Sequence, residues 1–271
     1  MLLFTYFLSL LFVFFSTLQR TSAVFNYQVS ARVSDKVSDF TYLISKILYV
    51  PFQKMTRSLV NVSEPYSACK DLFYIEKLTF AQEMANLYLG MENGLFLDYT
   101  TYGGAYQNIA LGINGVNGLG APIKIIYEVN YDGVPVRKIG NSTYNVRGRG
   151  WYVTAKQLKK NYWTAPYIDA ASGDPVISLI YPLVNYTLGG VRLPYAGSVC
   201  ADVYLTQISN YLVQSYRNTN QMVFIVDKGT LSILGNSFGA MTYTVNPASP
   251  TKKVSALLTL NNGYNHFTLI Y

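Results

Sequence analysis

Arg147-Gly-Arg-Gly-Trp-Tyr152, continuing as Val153-Thr-Ala-Lys-Gln-Leu-Lys-Lys160, is the stretch from which the rest of the chain can be read. An arginine, an indole and a phenol fall within four residues at what reads as a helix opening. The composition of Val153 to Lys160 suits a helix, and its closing lysines suit the negative end of the helix dipole. Arg149 and Tyr152 stand three apart and are expected to share a face. A guanidinium matches a carboxylate in two-point contact, and aromatic faces attract a cation. A site holding both kinds of group suits a small zwitterion. The same residues also read as a core anchor at Trp151 flanked by solvated arginines, and this segment alone leaves that alternative open.

The next fifty residues narrow the reading. Tyr162-Trp-Thr-Ala-Pro-Tyr-Ile-Asp169, the turn cluster Ala-Ala-Ser-Gly-Asp174 and Pro175-Val-Ile-Ser-Leu-Ile-Tyr-Pro-Leu-Val184 read as a hairpin. A third strand-like run, Ala196-Gly-Ser-Val-Cys-Ala-Asp-Val203, follows a turn through Leu188-Gly-Gly190. If the first turn centres near Ala171 to Ser172, Tyr167 faces Val176. If the second centres near Gly190, Asp202 faces Ser178. Neighbouring strands lie about 5 Å apart and each residue advances about 3.3 Å. Tyr167 and Asp202 are then about two rungs apart at most, and their side chains can converge on the face where the Arg149 helix packs.

The order Arg-x-Trp-Tyr, Trp-x-x-Pro-Tyr-x-Asp, Ser-Gly-x-Pro-Val-Ile-Ser and Gly-x-Val-x-x-Asp resembles the double Cache family, extracellular sensor domains of many receptors. The resemblance runs from about Tyr27 to the end and is strongest from Tyr144 to Tyr211. It implies an α+β fold: a long N-terminal helix packed along PAS-like antiparallel-sheet Cache modules, the second module incomplete. The amino-acid-binding subset of the family carries a distributed ligand motif. This sequence matches it at Tyr144, Arg149, Trp151, Tyr152, Tyr167 and Asp202. An insertion around Tyr186 to Pro194 lengthens the turn before the last strand. The motif implies that Arg149, with Trp151, holds an α-carboxylate. Asp202 takes the ammonium, helped by Tyr144, Tyr152 and Tyr167.

Residues 1–23 read as a signal peptide or membrane anchor. Met1 to Leu18 is almost wholly apolar, and Thr21-Ser22-Ala23 supplies a small-residue cleavage pattern. Either way the remainder is exported, secreted or held on the extracellular side of the plasma membrane. Sequons at Asn61, Asn141 and Asn185 fit export as glycosylation sites. Cys69 and Cys200 are a candidate disulfide, with two separate buried thiols as the alternative.

Residues 24–77 read as the long helix and its connection. Val37, Phe40, Leu43, Ile44, Ile47 and Leu48 recur at helical steps until Pro51, which is expected to end or kink it. Residues 78–216 are expected to form the membrane-distal, ligand-binding Cache module. It should begin with a helix over Leu78 to Leu89, then a strand and tight turn over Tyr88 to Phe96. Tyr99 to Gly120, rich in Gly, Asn and Tyr, reads as loop, with a strand over Ile123 to Val129. Leu205 to Tyr216 reads as a connecting helix. Residues 217–271 are expected to open a membrane-proximal module that this chain leaves truncated.

Several chemistries are disfavoured. The 271-residue chain has one histidine, His266, so triads built on imidazole and multi-histidine metal sites have no residues to use. Gly115-x-x-Gly118-x-Gly120 has the wrong order and context for a phosphate cradle. The net charge of +7 is scattered, without a nucleic-acid footprint. Half the residues are hydrophobic, enough for a substantial core, and 25 tyrosines suit β-structure and wet, partly apolar pockets. The expectation is a receptor's ligand-sensing domain, not an enzyme, with no cofactor and no metal. Its partners are a small amino acid or amine and a membrane, reached through the N-terminal segment or a span beyond Tyr271. A homodimer is compatible with this. A calcium-channel alpha-delta-like auxiliary or adhesion glycoprotein is the alternative, and a secreted enzyme or structural glycoprotein with a decayed pocket is a third.

Overall fold

Two glycines close the longest hairpin among the described residues. Gly189 and Gly190 both take positive φ, 57° and 80°, as a two-residue turn between right-twisted strands requires. They join β8 (Pro175–Leu188) to β9 (Val191–Tyr204), and the pairing puts Ser178 opposite Asp202. A two-residue strand, β7 (Tyr167–Ile168), lies against β8 with Tyr167 opposite Val176. Both registers are those implied by turns near Ala171 and Gly190. The computed structural model describes residues 2–57, 59, 70, 86–101, 109–116, 122–130, 132–169, 173–216, 222–226, 233–237, 242–245, 254–257 and 267–270.

Around this hairpin a nine-stranded antiparallel sheet assembles. Its further strands are β1 (Asn86–Met91), β2 (Phe96–Thr101), β3 (Ile109–Val116), β4 (Pro122–Val129), β5 (Pro135–Thr143) and β6 (Tyr162–Trp163). The order is β5-β4-β3-β2-β1-β9-β8-β6, with β7 also on β8. Every residue of β1 is buried. Successive side chains of a strand face opposite ways, and the packing follows that period. Leu87, Leu89, Leu97, Tyr99, Leu179, Val199, Ala201 and Val203 join one core cluster. Tyr88, Phe96, Ile180 and Cys200 join another on the opposite face.

Each face has its own helix. The first is covered by α1 (Leu2–Thr56) through Ile44, Ile47, Leu48 and Met55. The second is covered by α2 (Gly150–Leu158) through Trp151, Tyr152 and Ala155. Further back on α1, Val29 and Val33 pack with Leu212 of α3 (Leu205–Tyr216) and Val223 and Ile225 of β10 (Met222–Val226). β10 pairs with β11 (Ile233–Asn236) and β14 (Phe267–Ile270), while β12 (Thr242–Val245) pairs with β13 (Val254–Leu257). The α+β class with a long N-terminal helix is therefore as expected.

Three local expectations change. Residues 86–87, expected to be helical, open β1 instead, which then runs on through the strand expected from Tyr88. A short apolar run buried on both faces carries no alternation to separate strand from helix; residues 78–85 lie outside the described residues. Within Tyr99 to Gly120, expected to be loop, β2 extends to Thr101 and β3 occupies Ile109–Val116. β3 pairs along its length with β2 and β4, so ladder hydrogen bonding overrides its glycine content. Pro51 neither ends α1 nor stands at its edge: the helix runs on to Thr56, the missing N–H removing one bond to Ile47. α1 also runs through residue 23 without a break, which is compatible with a helical leader or anchor there. Among the described residues no helix is long and apolar enough to cross a membrane.

Cys200 is a free, buried thiol, the alternative to the bridge; Cys69 lies outside the described residues. Asn141 on β5 and Asn185 on β8 are exposed, and Asn61 lies outside the described residues.

The close approach of β9 to β1 at Gly197 yields a prediction. A Cβ added at Gly197 would stand 2.3 Å from the Gly90 carbonyl oxygen, and φ there is +151°. Gly197→Ala should therefore lower unfolding stability by at least about 2 kcal/mol, measured by chemical denaturation. An unchanged midpoint would mean that the two strands are not held this closely.

Candidate functional site

Strand parity decides which side chains meet beside α2. Asn86 and Tyr88 of β1, Asp98 of β2, Ser178 of β8 and Asp202 of β9 all fall on the α2 side, where Asp202 pairs across the ladders with Asn86 and Ser178. Between this row and the opening of α2 lies a cavity of about 130 Å³. It is lined by Tyr144, Arg149, Trp151, Tyr167 and Asp202, five of the six residues singled out by the sequence. Asn86, Tyr88, Phe96, Asp98, Lys124 and Asp169 also line it and were not anticipated.

Asp202 is the floor of the cavity and is 2% exposed. Three hydroxyls converge on its Oδ1: Ser178 donates at 2.5 Å, Tyr88 at 2.8 Å and Tyr167 at 3.2 Å. The Asn86 Nδ2 amide donates to Oδ2 at 3.1 Å. All four donors are neutral, and among the described residues Asp202 has no cationic partner. Burial pushes its pKa up to about 6; the Ser178 hydrogen bond works against the rise and the Asp169 charge adds to it. Burial likewise raises the Tyr88 and Tyr167 phenols, so both keep their protons and act as donors to the carboxylate.

Arg149 is the N-cap of α2 and makes no side-chain capping bond. Its guanidinium carbon lies 5.4 Å from the centre of the Tyr144 ring, within range of a cation–π contact. It too has no ion-pair partner among the described residues. The cavity therefore carries an unpaired cation at its helix side and an unpaired carboxylate on its sheet side. Tyr144 feels both, since the Arg149 and Asp202 charges act on its phenol in opposite directions while burial dominates and raises it.

An aromatic frame holds these two groups apart. The Trp151 indole is 6% exposed and meets Tyr88 edge-on at 5.1 Å and Tyr152 at 5.6 Å. It lies over Gly90, where a Cβ would come within 2.6 Å of it and of Val146. Tyr162 donates to the Trp151 carbonyl at 2.7 Å. Phe96 and Tyr144 stack tilted at 4.5 Å on the opposite wall. Beside them Lys124, 7% exposed, forms a buried ion pair with Asp98 and sits 5.3 Å from the Phe96 ring centre.

Tyr152 does not line the cavity, so the face it was expected to share with Arg149 does not form there. Its ring is buried against Tyr195, and its hydroxyl donates to Glu92 Oε2 at 2.7 Å. Lys156 holds the other oxygen at 2.6 Å. Burial works to raise the Glu92 carboxyl, but these two bonds outweigh it and keep it below its ordinary value. Tyr152 thereby ties α2 to the turn after β1. Among the described residues no group of His, Cys, Asp and Glu could hold a metal ion.

Compared in sequence, the chain matches no family model and no curated protein. Compared in structure, it resembles the sensory domain of the Campylobacter jejuni chemoreceptor Tlp3 with isoleucine bound, at a TM-score of 0.54 and 13% identity, over 82% of this chain and 74% of that one. The L-valine complex of the same receptor's ligand-binding domain gives 0.52 at 12% identity, over 82% and 74%. Its 4-methylisoleucine complex gives 0.50 at 12% identity, over 77% and 67%. The chain has the fold of these sensory domains, as the Cache resemblance implies.

The raised Asp202 pKa has a consequence for stability. An ordinary aspartate titrates near about 4. Between about 4 and 6 the folded chain therefore binds a proton that the unfolded chain releases. Stability contributed by protonated Asp202 is present below that window and declines as pH rises through it. Unliganded wild type should lose stability relative to Asp202→Asn between about pH 4 and 6.5 in denaturation midpoints. A difference independent of pH would show that Asp202 titrates normally.

Proposed function

We propose that this chain is the extracellular ligand-sensing domain of a membrane receptor and binds a free amino acid or a related amine without converting it. The observation that carries the reading is the pair of uncompensated charges in one cavity: a buried carboxylate at Asp202 and a guanidinium at Arg149. A buried charge without a partner is unfavourable by several kcal/mol. A dipolar molecule bridging the two neutralises both. The fold agrees: the chemoreceptor domains that share it were solved with isoleucine, L-valine and 4-methylisoleucine.

The cavity's geometry supports a role for each residue in this reading. Arg149 takes the α-carboxylate through two parallel N–H donors. Tyr144 and Trp151 flank it and exclude water, which strengthens the contact. Asp202 takes the ammonium, while Tyr88, Tyr167 and Ser178 keep its carboxylate ionised and aimed. Tyr152 acts from outside the cavity by fixing α2. Residues 78–216 form the ligand-binding module in this proposal. Residues 24–77 are its helical support, 217–271 begin a second module, and residues 1–23 direct export or tether the chain. The ligand is held by charge and hydrogen bonds alone, so no cofactor takes part.

Calorimetric titration of the full chain with the twenty amino acids tests this. At least one should bind, and Arg149→Ala and Asp202→Ala should each weaken it at least about tenfold. Tyr152→Phe should leave affinity within about twofold and lower stability by about 1 kcal/mol. Equal affinity in wild type, Arg149→Ala and Asp202→Ala would defeat the proposal.

Binding should also depend on pH. An ammonium favours ionised Asp202, so affinity should fall about tenfold per pH unit below about 6, with proton release on binding near that pH. Titrations in buffers of different ionisation enthalpy measure the release. A flat profile from pH 5 to 7 would take Asp202 out of the contact.

A further inference from the structure

Asn86 stands at the start of β1, opposite Asp202 in the ladder, and is 4% exposed. Its Nδ2 donates to Asp202 Oδ2 at 3.1 Å, which fixes the orientation of the amide: the nitrogen must face the carboxylate. The carbonyl oxygen, Oδ1, therefore points elsewhere. It is buried, belongs to a residue lining the cavity, and has no hydrogen-bond partner among the described residues. Buried acceptors are rarely left so, because an unmade hydrogen bond costs about 1–3 kcal/mol.

We infer that Asn86 is a further ligand-binding residue, whose Oδ1 accepts a second hydrogen from the ligand's nitrogen beside Asp202. This rests on the amino-acid reading of the cavity and adds a selection rule to it. Asp202 satisfies one donor and the Asn86 carbonyl another, so the site demands at least two N–H groups on one nitrogen. A primary ammonium supplies three. A tertiary amine carries the same charge but only one donor, so it must leave either Asp202 or Asn86 unpaired. The site discriminates by counting hydrogens as well as by charge.

The test is a cycle between protein and ligand. The probes are L-alanine, N-methyl-L-alanine and N,N-dimethyl-L-alanine, with the same series on whichever of the twenty amino acids binds most tightly. Each is titrated into wild type and Asn86→Leu, a variant close in volume that keeps the strand apolar. Asn86→Ser serves as a second variant should the leucine chain fail to fold, judged by thermal unfolding. Methyl bulk acts on both proteins and cancels in the comparison. Wild type should lose at least about tenfold in affinity from the primary to the dimethyl form. The variant should lose at least threefold less. Equal losses in wild type and variant would overturn the role of Asn86 while leaving the amino-acid reading intact. Binding of none of the twenty amino acids by wild type would overturn both.

Discussion

A carboxylate buried in the middle of a sheet, held among the described residues by neutral donors alone, constrains everything nearby. Asp202 is coordinated by Ser178, Tyr88, Tyr167 and Asn86. These come from strands β8, β1, β7 and β1, so four side chains on three other strands are positioned by one group on β9. Hydroxyls and an amide lower the burden of burial without removing it, which is why the pKa remains raised to about 6. The Lys124–Asp98 pair a short way along the same face shows the contrast. There a lysine supplies the opposite charge within the chain itself. At Asp202 the described residues supply four neutral donors and no cation.

The position of Arg149 depends on a second constraint, the absence of a side chain at Gly90. The Trp151 indole and Val146 occupy the space a Cβ would need, so the opening of α2 can settle directly on β1. That settling places Arg149, one residue before the helix, at the rim of the cavity over Tyr144. The Glu92 carboxylate then pins the next turn of the helix through Tyr152 and Lys156. The arginine's location is thus fixed by packing and by bonds on either side of it, none of which uses its own charge.

What the sequence disclosed and what it hid divide along physical lines. The turns near Ala171 and Gly190 are bounded by turn-forming residues, and counting outward from them gives the registers that bring Tyr167 and Asp202 together. Arg149, Trp151 and Tyr144 lie within eight residues, so local geometry alone brings them near each other. Asn86 was hidden because the start of β1 is a short, mainly apolar run that reads equally well as the end of a helix, and Tyr88 because its hydrogen-bond partner Asp202 is 114 residues away in the chain. Lys124 and Asp98 were each visible as a charge inside an apolar run. Their pairing depends on β3, whose glycines made it read as loop. Tyr152 shows the limit of spacing as evidence. Residues three apart on a helix share a face, but Arg149 is the cap and stands outside the helical geometry, so the two side chains part.

β1 links the cavity to the rest of the molecule. Its even positions, Asn86 and Tyr88, bond Asp202 on the cavity side. Its odd positions, Leu87, Leu89 and Met91, belong to the cluster closed by Ile44, Ile47 and Leu48 of α1. β9 repeats the pattern, with Asp202 on one face and Ala201 and Val203 on the other. Charge neutralisation at Asp202 therefore acts on two strands whose reverse sides are packed against the long helix. Close-packed interiors transmit small displacements because they have no free volume to absorb them. Farther along the same helix, Val29 and Val33 pack on α3 and β10. In a sensing domain, the proposed ligand and the helix would thus share one pair of strands, separated by the thickness of a single sheet.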